Sequence, residues 1–122
     1  MNSIEVIKRN SANIPLYLYS NGQPIQLGGG DFLVFTVRKK IEDEEYLFRK
    51  VITNENYMAE QGCYTVDILP EDTESVELNN YDDRKFLRYD VTFYNSKNSN
   101  VEITVRRGDF IVSWRASKEG DS

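Results

Sequence analysis

Residues 86–95 read Phe86-Leu87-Arg88-Tyr89-Asp90-Val91-Thr92-Phe93-Tyr94-Asn95, and the alternation inside this stretch decides the fold. Successive side chains of an extended chain point to opposite faces. Leu87, Tyr89, Val91 and Phe93 therefore share one side, and Arg88, Asp90 and Thr92 share the other. One dry face and one wet face predict a strand at the heart of a β core.

The same period of two extends in both directions from it. Strands are expected near 4–8, 13–19, 32–40, 45–52, 63–69, 86–95, 101–107 and 109–115. In the third, Leu33, Phe35 and Val37 oppose Phe32, Val34, Thr36 and Arg38. Both of its faces start apolar, as in a central strand. Tyr46, Phe48 and Ile52 are expected on one face of the fourth, after a hairpin tip at Glu42 to Glu45. In the fifth, Tyr64, Val66 and Ile68 alternate with Thr65 and Asp67. Val101, Ile103 and Val105 continue an inward row, and Gly108-Asp109 reads as a tight turn into Phe110, Val112 and Trp114. Short strands at this spacing fit a sandwich or a barrel. Pro70 and the acids after it suggest a single helical turn near residues 71–78.

Composition agrees with an all-β chain. Eight Tyr, six Phe and many β-branched residues suit a pleated surface, and Ala occurs only at Ala12, Ala59 and Ala116. The 122 residues suit one domain, expected over 1–116 with a flexible polar tail at 117–122. A formal charge of −5 repels a phosphate backbone, so nucleic acid is not an expected partner. The start at Met1 lacks a secretory pattern, and no apolar run reaches membrane-helix length.

With no histidine, Ser-His-Asp and Cys-His catalysis and His-based zinc sites are closed. Cys63 is the single cysteine; it is expected to be partly exposed and inert. Gly28-Gly29-Gly30 lacks the Lys-Ser or Lys-Thr of a phosphate loop and reads as a turn, as does Asn21-Gly22 before Pro24. Glu42 to Glu45 and Asp82-Asp83 lack calcium-loop spacing and read as solvated loops. The doublets Lys8-Arg9, Arg49-Lys50 and Arg106-Arg107 read as charged strand ends that protect sheet edges. Trp114 is expected in the core, with Tyr17, Tyr19, Tyr81 and Tyr94 as outward anchors for a protein partner.

Five stretches in order carry a further likeness. They are Asp31 to Lys39; Arg49-Lys50-Val51-Ile52; Gly62 to Thr73 with its Leu69-Pro70-Glu71-Asp72-Thr73 step; Arg88-Tyr89-Asp90-Val91; and Val101 to Val105 followed by Gly108 to Val112. Over roughly residues 4–114 this order resembles a family of small phage and prophage proteins. In that family an immunoglobulin-like domain forms the N-terminal part of the baseplate upper protein or stands alone beside tail-fibre components. The chain departs from the pattern at Asn79 to Lys85, a longer polar approach where the family has a Gly.

The resemblance implies an immunoglobulin-like antiparallel β-sandwich of about seven or eight strands. It implies a non-catalytic tail or baseplate subunit, assembled in the bacterial cytoplasm and carried in the virion, that docks to other tail or baseplate proteins as a homo-oligomer. With its end at Ser122, the chain is expected to lack the receptor-binding extension of a full baseplate protein. No catalytic, cofactor-binding or metal-binding residue is expected, and no membrane contact. The alternative is a stand-alone binding module for a carbohydrate or small ligand, with a carboxylate- or tyrosine-based enzyme as a third class.

Overall fold

The computed structural model describes residues 3–20, 22–39, 45–80, 83–95, 97 and 102–114. The expected tail at 117–122, the hairpin tip at Glu42 to Glu44, Asn21, Tyr81, Asp82 and Val101 lie outside them.

Among the described residues ten strands form in chain order: β1 Ile4–Ile7, β2 Ala12–Leu16, β3 Tyr19–Ser20, β4 Gln23–Pro24, β5 Phe32–Arg38, β6 Phe48–Ile52, β7 Tyr57–Met58, β8 Cys63–Ile68, β9 Arg84–Tyr94 and β10 Glu102–Ser113. A 3-10 turn spans Asn54–Asn56, and a single helical turn, α1, spans Pro70–Thr73. One sheet has the order β1-β10-β9-β5-β6, the second β2-β8-β7, and β3-β4 is a separate two-stranded piece. With β9 and β10 beside β5 and β6 in one layer, and β8 between β2 and β7 in the other, this is the immunoglobulin-like sandwich order. Strand β1 departs from the expected all-antiparallel pattern by running parallel to β10, with Ile4 opposite Phe110 and Val6 opposite Val112.

The decisive stretch is β9, at the centre of the larger sheet between β10 and β5. Its inward row packs as the alternation requires: Leu87, Tyr89 and Val91 are buried, and Phe93 lies against the core. Leu33, Phe35 and Val37 of β5 meet it, and Tyr64, Val66 and Ile68 of β8 supply the facing layer. Phe35 stacks on Tyr89 at 5.3 Å, and Phe110 sets its edge to Phe35 and Phe48 at 6.1 and 5.6 Å. Such offset and edge-on contacts suit the ring quadrupoles.

The expected turn at Gly108-Asp109 is absent. Residues 102–113 form one strand against β9, with Gly108 opposite Tyr89. The inward residues change from odd to even numbers because the register shifts between Thr104 and Arg106, which leaves Val105 as an extra residue. A bulge reverses side-chain parity as completely as a turn does, while keeping the ladder continuous. Beyond the bulge Ile103 is exposed, contrary to its expected place in the core.

The expected strand 13–19 ends at Leu16, and the chain then forms the short β3–β4 hairpin around Gly22, whose φ is +79°. The helical turn is shorter than expected. Asp72 Oδ2 accepts from the Leu69 amide at 2.7 Å and from Lys50 Nζ at 2.6 Å. Thr73 is buried, and its Oγ accepts from the Arg9 amide.

Candidate docking surfaces

The outward face of the five-stranded sheet is built by the other parity of the same strands. Register places Arg107, Asp90, Thr36 and Arg49 in one rank across β10, β9, β5 and β6. Ion pairs knit this face together: Arg38 with Asp90, Arg88 with Asp109, and Arg84 with Glu5. Thr92 Oγ also donates to Asp90 Oδ1 at 3.2 Å. Asp90 and Thr92 face outward as expected, yet both are buried, Asp90 against the Arg38 guanidinium and Thr92 against Asp90. At one end Phe32 stacks on Tyr94 at 5.2 Å, and Tyr94 donates to Glu102.

Apolar groups interrupt this charged face. Val51 on the edge strand β6 is 61% exposed and Phe86 on β9 is 56% exposed, with the Arg84 guanidinium over the Phe86 ring. Tyr46, expected to share the inward face with Phe48 and Ile52, is instead exposed under Arg49 at 4.2 Å. Phe48 and Ile52 do face inward, and Lys50 between them reaches Asp72 across the flank of the sandwich. Arg49-Lys50 and Arg106-Arg107 sit inside β6 and β10, not at strand ends as expected. The physical reason for the latter is the bulge, which turns Arg106 so that its Nε donates to the buried Tyr89 hydroxyl at 2.8 Å.

The expected anchors do not gather at one place. Tyr17 and Tyr19 are exposed around β3, whereas Tyr94 is half-buried on the larger sheet. Trp114 lies outside the core cluster, half-buried with Lys8 Nζ 5.6 Å from its ring centre. The strand ends at Ser113, so parity no longer directs the indole inward. Cys63 is fully buried, not partly exposed, and its thiol faces Gln61 Oε1. It starts β8 opposite Met58 of the short strand β7.

Residues 25–31 form a buttressed turn whose partners the sequence did not reveal. The Tyr64 hydroxyl accepts from the Leu27 amide at 3.1 Å and donates to the Ile25 carbonyl at 3.0 Å, while Asn54 donates to the Leu27 carbonyl. Gly30 adopts φ +83°, and the Asp31 carboxylate accepts from the Gly28 amide. That carboxylate stands where a phosphate would need the amide, so the Gly-rich segment is the turn its sequence suggests. Beside it a groove of about 550 Å³ runs past Phe32, Val51 and Thr53 to Glu55.

Three phenols are perturbed. Burial pushes the Tyr64 hydroxyl up, with the Leu27 amide acting against it. Burial also raises Tyr89 against the pull of Arg106, and raises Tyr94 with help from Glu102. Among the described residues, no three of Cys, Asp and Glu converge as a metal site, and no helix is long and apolar enough to cross a membrane. Compared with known proteins, the chain matches no family model and no curated relative.

Proposed function

We propose that this chain is a non-catalytic structural protein of a phage or prophage tail or baseplate, carried in the virion and docked to neighbouring subunits through its sandwich face and edge strands. The observation that carries this reading is the pairing of a rigid, ion-paired sheet face with isolated apolar groups at its margins, Val51 and Phe86. Charged pairs fix register between partners, and desolvated apolar groups supply the affinity. The stretches that resemble the phage family fall on β5, β6, β8 with α1, β9 and β10, the strands that build this face and its opposing layer. Lack of histidine supports a role without acid–base chemistry at neutral pH.

A sugar-binding module would need stacked rings in a concavity, and the groove beside Gly28 to Gly30 offers Phe32 alone among the described residues. Purified tail particles from the host strain test the proposal. Antibody to this chain should decorate the tail end, with the chain present in stoichiometric amounts by mass spectrometry. Particles that lack the chain would reject the virion role.

A further inference from the structure

The link between β1 and β2 crosses from one sheet to the other and holds backbone strain. Among the described residues, β1 pairs with β10 alone, at the edge of the larger sheet. That pairing is parallel, the weaker kind of ladder per residue. Its buried side chains are Ile4 and Val6, which join the core cluster opposite Phe110 and Val112. Residues 8–11 then carry the chain to β2 in the other sheet.

So short a link must reverse tightly. The Asn10 amide donates to the Ile7 carbonyl at 3.1 Å, and Arg9 stands at φ +67°. It is the one non-glycine residue with positive φ among the described residues, and its Cβ is crowded in that conformation. The Arg9 amide donates to Thr73 Oγ at 2.8 Å. Arg9 and Asn10 are exposed, so water can take over both amides if the turn opens, while Thr73 Oγ keeps the Pro70 carbonyl at 3.5 Å. A short, strained connection to a terminal edge strand is the setting in which identical chains trade that strand.

We propose that β1 exchanges between two copies of this chain, each copy's Ile4–Ile7 seated on the β10 edge of the other, with Lys8 to Ser11 as the hinge. The seat is already filled by this segment in the closed chain, and a second copy offers the same four residues to it. Ile4 and Val6 enter the same core, Glu5 meets Arg84, and the Lys8 amide meets the Ser113 carbonyl. These contacts are remade between chains, so the balance turns on the hinge. Extended, its four residues span about 13 Å, and Arg9 leaves the left-handed region. Two hinges relax in each dimer. Against them stands the proximity of β1 to its own chain, an effective concentration on the order of millimolar. Exchange is therefore a form of crowded copies, and it does not depend on a role in a tail.

An equal mixture of isotope-labelled and unlabelled full chain, refolded together from urea at millimolar concentration and separated by size exclusion, tests the exchange. A dimer should form. Isotope-filtered nuclear Overhauser spectra of the mixed dimer should connect Ile4 and Val6 of one copy to Phe110 and Val112 of the other. Arg9→Gly removes the strain of the closed turn and should weaken dimer formation about tenfold. Asn10→Pro removes the closing amide and drives Arg9 towards extended backbone, so it should raise the dimer share. A parent chain that stays monomeric overturns the exchange, as does a dimer whose Ile4 and Val6 contacts all lie within one copy. Dimer formation unmoved by Arg9→Gly, or lowered by Asn10→Pro, does the same.

Discussion

Asp72 shows how much a single side chain can hold. One of its oxygens caps the amide of Leu69 and also receives Lys50 from the opposite layer, so its loss would uncap α1 and strand an ammonium that is 22% exposed. Asp72→Ala should cost about 1–3 kcal/mol, read as a lower urea midpoint with unchanged slope, and Lys50→Met should cost less because its stem still packs. The tyrosines set a pH limit. Tyr64, Tyr89 and Tyr94 all hold their protons more tightly in the fold than the ordinary phenol value of 10.0. As pH climbs, the unfolded chain releases these protons first; their stabilising effect is therefore complete below about pH 10 and drains away as pH rises through the raised folded values. Urea midpoints measured from about pH 8 to 12 should fall on the alkaline side, and Tyr89→Phe should flatten that fall. Most residues of the inward rows were legible from parity alone, from Leu33 to Val112. The burial of Asp90 and Thr92 was not, because it depends on the partners they meet, Arg38 from the neighbouring strand among them, and not on which face they occupy.

At the scale of elements, β10 is the instructive case. The switch from odd-numbered Ile103 and Val105 to even-numbered Phe110 and Val112 is visible in the sequence, but a turn and a bulge produce the same switch. Gly108-Asp109 favoured the turn; the continuous ladder against β9 decides for the bulge. The strands β3, β4 and β7, two residues each, carry no period to read. The connection between β1 and β2 holds another hidden feature: Arg9 sits at φ +67°, in the left-handed region, while its amide binds Thr73. Arg9→Gly keeps that amide and removes the Cβ penalty, so it should raise stability by about 0.5–1 kcal/mol in thermal or urea unfolding. Pro15 in β2 and the charges of β6 mark edges of the two sheets. Both residue types discourage unwanted strand pairing.

For the whole molecule, the division between core and surface sets the size of mutational effects. Phe110 is fully buried among Phe35 and Phe48, so Phe110→Ala should cost about 3–5 kcal/mol. Phe86→Ala removes an exposed ring and should change stability by no more than about 0.5 kcal/mol, while weakening assembly. A variant that assembles poorly but unfolds normally is the signature of a docking residue. Partner and surface were not legible from the sequence, since exposure of Val51 and Phe86 follows from where the sheet ends and what leaves it uncovered. Hydrogen exchange of the isolated chain and of the chain within tail particles tests the central claim, that a prebuilt sandwich works by contact at its surface. Slow exchange in β5, β8, β9 and β10 should be the same in both, with added protection in the particle only along β6. Identical exchange in the two states, or slow amides that appear only on assembly, would contradict it.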